Sequence, residues 1–351
     1  MPSDRQQLLE ECIDYDAKVD IVACFEVFFA KSESMSPTVV HFERFPRYDA
    51  PDGNEVSPDF TVLFEDGTLL VGEISNLARD EHSLEDLLRQ IGRYDTLARG
   101  PSAARAGGGH DLADVAAVDV AVLIPEGDSN AACDRINAAI QERRYGYDPR
   151  QRPTVLGWGY DARRSRYHFK YDDRSSNPRP RTHGREPTIT SWLEGQSDTL
   201  RCSADHFAPV KLRQRFMNDR PPALYTAAYL WLDALPALAP SPPPVDLEVS
   251  TADLVEYMRR SYGWSDTHAV NSAMAFLERA GLARPTAAGW ALELKEIASA
   301  HAEVRDELLR RYLAKPAGPV TAADRKEVAE RAARDEAQRE GNERAQGELE
   351  L

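Results

Sequence analysis

The chain is poor in cysteine. Cys12, Cys24, Cys133 and Cys202 are spread over 351 residues, and no pair has metal-ligand spacing. That argues against a zinc ribbon or a disulfide framework and for reduced thiols in a cytoplasmic protein. Long apolar runs are also missing. The most apolar stretch, residues 224–235, carries Asp233 and stops at Pro236, well short of the roughly 20 residues a membrane-spanning helix needs. The first residues, Met1-Pro2-Ser3-Asp4-Arg5-Gln6, lack the apolar core of a signal peptide. There is no Gly-x-Gly-x-x-Gly, no Walker motif and no serine-nucleophile elbow, and Gly107-Gly108-Gly109 has no helix behind it to make a phosphate cradle. His82, His110, His183, His206 and His268 stand apart from one another. Finally, the chain has no net positive charge to offer a polyanion. A formal charge of -15 excludes a protein basic all over, although binding depends on where cations cluster rather than on their sum.

What remains is the composition of a folded protein. The hydrophobic share is 42% and the charged share 29%, with length for two or three domains. Ile21, Val22, Phe25, Phe28 and Phe29 recur at helical spacing within residues 5–32. Residues 39–45 read as a strand, and an Asp-Gly hairpin follows. Leu84, Leu87, Leu88, Ile91 and Tyr94 share one face of a helix over 83–97, and a Gly- and Ala-rich loop is expected over 100–113. Residues 118–124 have the unbroken apolar character of a buried strand. A helix over 130–143 and strands over 155–160 and 166–171 complete the series. This order predicts an α/β or α+β fold with a mixed central sheet flanked by helices.

The most informative stretch runs from Ser57-Pro58-Asp59-Phe60 through Glu65-Asp66-Gly67-Thr68 to Gly72-Glu73-Ile74-Ser75. One carboxylate opens the first strand of the hairpin and another closes the second, so the turn can set Asp59 beside Glu73. Glu73 stands among apolar residues, where an unpaired charge is costly. A divalent ion shared by both carboxylates would remove that cost and act on a phosphodiester. Pro-Asp, a spacer of strand residues, then an acid, any residue and a lysine is the motif of the PD-(D/E)XK nuclease superfamily, which this hairpin resembles. Its lysine position holds Ser75 instead. Gln90 and Tyr94, at i and i+4 of the next helix, are similar to the Gln-x-x-x-Tyr of the RecB-like branch.

The resemblance implies a restriction-endonuclease-like fold. Asp59 and Glu73 would hold Mg2+ or Mn2+, with the Ile74 carbonyl helping and Glu26 on the first helix as a further ligand. Gln90 would contact substrate or water, and Tyr94 would lie on the nucleic-acid path. In this superfamily the lysine orients the attacking water and stabilises developing charge, which Ser75 cannot do. Asn76, Arg79, Arg89 and Lys31 are the nearest substitutes in the sequence.

The one strong basic region covers residues 143–185. Arg163, Arg164, Arg166 and Lys170 lie in it with Tyr160, Tyr167 and Phe169 interleaved, a composition that suits phosphate contact and base stacking. Pro240-Ser241-Pro242-Pro243-Pro244 then marks a stiff boundary. A helix over 251–261, a turn at Gly263-Trp264-Ser265, a helix from Asp266 to Ala280 and a hairpin over 282–294 resemble the winged-helix family. Between Asp266 and Ala280 the only Arg or Lys is Arg279, so this unit suits protein contact as well as DNA. The expected divisions are a nuclease-like domain at 1–190, a helical connector at 191–240, a winged-helix-like domain at 241–300 and a charged helical or disordered tail at 301–351. Two functions stay open on the sequence. One is a metal-dependent deoxyribonuclease in repair, restriction or defence. The other is a DNA-binding or scaffolding subunit that does not cut, with a partner protein on the winged-helix unit or the tail.

Overall fold

A computed structural model describes residues 4–31, 38–49, 53, 55–75, 81–105, 110–150, 152–171, 199–212, 214–217, 219–240, 246–293 and 301–314. The chain opens with one long helix, α1 (Asp4–Lys31). Strand β1 (Val39–Arg44) follows, then a small ladder of β2 (Tyr48–Asp49) and β3 (Glu55–Val56). The acidic hairpin is β4 (Phe60–Phe64) and β5 (Thr68–Ile74). Gly67 supplies the left-handed turn residue at φ 80°, and Asp66 caps the turn by accepting the Thr68 N–H at 2.8 Å.

Helix α2 (Glu81–Tyr94) buries the expected stripe of Leu84, Leu87, Leu88, Ile91 and Tyr94. The stretch expected as a loop is instead a hairpin, β6 (Arg99–Ala104) and β7 (His110–Asp114). Its Gly, Ala and Ser residues carry no strand preference, and the ladder's own backbone bonds decide. Strand β8 (Ala117–Pro125), helix α3 (Glu126–Glu142) and strands β9 (Thr154–Asp161) and β10 (Arg166–Tyr171) follow in the expected order. Strand β11 (Thr199–Ser203) and helix α4 (Ala204–Lys211) continue the same unit. The sheet therefore extends past residue 190 into the stretch expected as a helical connector.

Seven strands form one mixed sheet in the order β1-β4-β5-β8-β9-β10-β11. The inner pairs β5·β8 and β8·β9 are parallel and the outer pairs antiparallel, since each parallel step is bridged by a helix. Strand alternation sorts the core onto two faces. Phe60, Val62, Leu70, Leu123, Leu156, Tyr167 and Phe169 pack under α1. Leu63, Leu69, Val71, Val122, Ile124 and Val155 pack under α2 and α3. The fold class is mixed α/β, consistent with a restriction-endonuclease-like fold.

Gly72 is fixed by the α1 face. A Cβ there would lie 2.1 Å from the Phe60 ring, which stacks between Phe25 at 5.0 Å and Phe42 at 5.6 Å. Gly72→Ala should cost about 1–3 kcal/mol in urea unfolding, the usual range for overpacking a core. Unchanged stability would show that the ring moves freely.

The C-terminal part begins with α5 (Ala223–Tyr229), which passes through a wide turn at Leu230–Ala234 into α6 (Leu235–Leu238). A three-stranded sheet in the order β12-β14-β13 comes next, built from β12 (Asp246–Val249), β13 (Ala283–Thr286) and β14 (Gly289–Glu293). Between β12 and β13 lie α7 (Thr251–Tyr262), capped by Ser250, and α8 (Thr267–Arg279), capped by Asp266. Helix α9 (His301–Ala314) packs against α5 and α8. The tail beyond residue 314 lies outside the described residues, as do the arginines at 174, 179, 181 and 185. No helix among the described residues is long and apolar enough to cross a membrane.

Candidate active site

The hairpin register decides where the two acids stand. Phe60 pairs with Gly72, so the next residues outward, Asp59 and Glu73, are cross-strand neighbours. Asp59 N–H donates to Gly72 C=O at 3.1 Å, and Ile74 N–H donates to Asp59 Oδ2 at 2.6 Å. Each acid is only 7% exposed. Tyr94, fully buried on α2, donates its hydroxyl to Glu73 Oε2 at 2.8 Å, and Gln90 Nε2 donates to that hydroxyl at 3.0 Å. One oxygen of each carboxylate is thereby fixed. The others, Asp59 Oδ1 and Glu73 Oε1, have no hydrogen-bond partner among the described residues.

Burial raises both acids. Asp59 is pushed up to about 6, with Lys18 and the Ile74 N–H pulling the other way. Glu73 is raised well above the usual range by burial and then by the Asp59 charge beside it. The hydroxyl of Tyr94 is likewise held far above its ordinary value by burial and by Glu73. Two adjacent buried carboxylates that disfavour each other's charge are what a site prepared for a cation presents.

The positive charge comes from α1. Lys18 lies one turn before Val22 and two before Phe25 on the helix stripe that faces the sheet. Burial alone would lower its ammonium, but Asp59, Asp219 and Glu73 outweigh burial and hold it up. Sequence reasoning missed Lys18 and Asp219. The one signal for Lys18 was a lysine in line with an apolar stripe. Asp219 had no signal, because its proximity is created by the fold.

Several expected site residues stand elsewhere. Glu26 is paired with Arg44, which also donates to the carbonyls of Val210 and Gln214. It lies eight residues beyond Lys18, about 12 Å along the helix axis, so α1 reaches the carboxylates with Lys18 and not with Glu26. Tyr94 cannot lie on a nucleic-acid path, because it is fully buried with its hydroxyl committed to Glu73. Gln90 holds Tyr94. Ser75 is half-buried, its N–H on the Leu123 carbonyl at 3.0 Å. Of the local substitutes, Arg89 is paired with Glu85 on α2. Asn76 and Arg79 lie outside the described residues, as does the side chain of Lys31. No group of three or more His, Cys, Asp or Glu able to hold a metal occurs among the described residues. The donor set here is two carboxylates with one uncommitted oxygen each. That fits Mg2+, which typically takes one or two carboxylates and fills its shell with water and substrate phosphate.

The basic residues cluster at the same end of the sheet. Glu73 is level with Val122 on β8, and Val122 with Val155 on β9. Strand β9 runs six residues further, roughly 20 Å at strand rise, so the turn carrying Arg163 and Arg164 overhangs the carboxylate end. Arg163, Arg164 and Lys170 are exposed, and Arg166 is half-buried. Arg164 and Arg166 approach Asp161 at 3.9 and 3.8 Å. The interleaved aromatics divide differently from a stacking platform: Tyr167 and Phe169 are core, while Tyr160 is 48% exposed.

No protein-family model matches the chain, and no curated protein does. Among solved structures it is similar to NucC from P. aeruginosa ATCC27853 in its cAAA-bound form. Identity is 13% over 50% of this chain and 87% of that chain, with a TM-score of 0.24. A likeness at that score carries no weight for fold or function.

Proposed function

We propose that the N-terminal unit is a metal-dependent nuclease acting on DNA, of PD-(D/E)XK type, in which Lys18 supplies the cation that Ser75 lacks. The observation that carries this reading is the buried, adjacent Asp59–Glu73 pair, to whose charges that of Lys18 on α1 is coupled. Asp59 and Glu73 would hold Mg2+ or Mn2+, whose contribution is to make water nucleophilic near neutral pH. The Ile74 N–H and the Gln90–Tyr94 pair keep the two carboxylates in register. Lys18 places a fixed positive charge where negative charge builds on the phosphodiester. Exposed Arg163, Arg164 and Lys170, with Arg166, supply the phosphate-binding surface beside the site.

The test uses full-length protein with duplex and single-stranded DNA in Mn2+, Mg2+ or chelator. Chelator-sensitive cleavage is expected, and Mn2+ should raise the Tm of the wild type but not of Glu73→Gln. If no DNA form is cut and Mn2+ leaves the Tm alone, the reading fails. Replacing Arg163, Arg164 and Arg166 together by Ala should lower the slope of log K against log salt by about 0.9 for each phosphate these side chains neutralise. An unchanged slope would place DNA elsewhere.

The C-terminal unit is read as a winged helix serving protein contact. Its α8 is buried on both flanks and leaves outward a stripe with Thr267, Asn271, Ala275 and Glu278. Arg279 is stacked on Tyr312 of α9 at 3.9 Å. Without an exposed Arg or Lys, the stripe has nothing to set against a phosphate backbone.

A further inference from the structure

Strand register carries the face of Glu73 outward to the far edge of the sheet. Glu73 is level with Val122 on β8, and Val122 with Val155 on β9. Further along β9, Gly157 pairs with Lys170 on β10, and Gly159 with His168. His168 pairs in turn with Arg201 on β11. Directly opposed residues share a face, and so do residues two apart on one strand. Lys170, His168 and Arg201 therefore stand on the face of the sheet that carries Asp59 and Glu73. The alternate residues Tyr167, Phe169, Leu200 and Cys202 are core on the α1 side.

Lys170 and Arg201 are exposed, and neither side chain has an ion-pair partner among the described residues. His168 behaves differently. Its Nε2 meets Glu126 Oε2, at the start of α3, at 2.8 Å. A Cβ on Gly159 would lie 2.6 Å from the His168 ring, so glycine there lets the ring lie across β9. The uncommitted cations of β10 and β11 on this face are thus Lys170 and Arg201.

The aromatic rings of these strands point the other way. Trp158, Tyr167, Phe169 and Tyr171 pack toward α1, and Tyr160 stacks on Tyr167 at 4.8 Å. The strip therefore offers charge without a stacking platform. A single strand takes much of its hold from bases stacked on rings. A duplex keeps its bases inside and presents its phosphates. Distance adds a length. At ordinary strand rise and spacing, Lys170 lies roughly 16 Å and Arg201 roughly 23 Å from Glu73. A duplex rising about 3.4 Å per base pair spans these gaps in about five and seven base pairs.

We propose that Lys170 and Arg201 hold the phosphates of a duplex DNA arm that runs from the Asp59–Glu73 pair across β10 and β11. The substrate is then duplex DNA rather than a single strand, with about five to seven base pairs on one side of the reacting phosphate. This rests on the reading of that pair as the working centre, and it adds the form and length of DNA the centre takes.

The first measurement needs no cleavage. Full-length protein in chelator is titrated, by fluorescence anisotropy over a range of salt, with a labelled duplex several times the arm length and with one of its strands alone. The duplex should bind more tightly. Lys170→Ala with Arg201→Ala should lower the duplex slope of log K against log salt by about 1.8, the loss of two phosphate contacts, and leave the single strand little changed. Lys170→Arg with Arg201→Lys should keep the wild-type slope. In Mn2+, the wild type should rarely cut within about five base pairs of one end of the duplex, too short an arm to span the strip, and the double Ala variant should lose that bias. An unchanged slope, an equal loss on the single strand, or no duplex binding by the wild type overturns the proposal, even in a protein that cuts DNA. The expected slopes in a protein that never cuts would uphold the strip and overturn the nuclease reading instead.

Discussion

Lys18→Ala is expected to lower metal-dependent DNA cleavage by about 10²–10³-fold, the usual loss when one preorganised stabiliser of transition-state charge is removed. The expectation rests on the Lys18 charge being favoured by the acids around it, Asp59 first, while the residue is half-buried on the sheet-facing side of α1. Ser75→Lys in the same background should recover a substantial part of the loss. Residues 73 and 75 point to one face of strand geometry, and the Ser75 backbone is pinned to Leu123, so a lysine there returns charge beside Glu73 from the opposite side. Glu73→Gln should abolish cleavage in every background, because it removes one of the two carboxylates and no cation replaces that. Two results would sink the idea. Lys18→Ala could cut as fast as wild type, or Ser75→Lys could raise the wild type while leaving Lys18→Ala dead. Tm and Mn2+ binding measured alongside separate a lost charge from a lost fold.

The hairpin was legible in the sequence because its chemistry is local. Asp66-Gly67 fixes the turn, and the pairing of Phe60 with Gly72 then follows by counting. Helix α2 was legible for the same reason, since five apolar residues on one stripe leave little choice of face. The β6–β7 hairpin was not. Its residues have no strand preference, and only the partner strand explains it. Strand β12, Asp246–Val249, is too short to show a period.

In the site, Asp59 and Glu73 could be named because one hairpin contains both. Lys18 is 41 positions from Asp59 and Asp219 is 160, and no local rule spans such gaps. Glu26 shows the converse error. A glutamate on the first helix suits a family pattern, but its role depends on what the opposite strand offers. Here β1 offers Arg44. Tyr167 and Phe169 show it again, since the same aromatic spacing serves a stacking surface or a core. The α1 helix lying over them, with Phe25 at 4.9 Å from Phe169, settles the matter.

That Arg44 pairing gives the second large effect, this time on stability. The Arg44 side chain is 4% exposed and that of Glu26 17%. Glu26→Ala removes the counter-charge of a buried guanidinium that also donates to the carbonyls of Val210 and Gln214. Breaking a buried pair from one side costs about 3–5 kcal/mol, because the remaining charge stays desolvated. Urea unfolding should show that loss in the midpoint with little change in slope. The double substitution Glu26→Leu with Arg44→Met should recover most of it, since it removes both charges and fills both volumes. The double variant is therefore expected to fold near wild-type stability. A Glu26→Ala protein as stable as wild type would show that water reaches Arg44. A double variant as unstable as Glu26→Ala would show that the loss does not come from an unpaired buried charge.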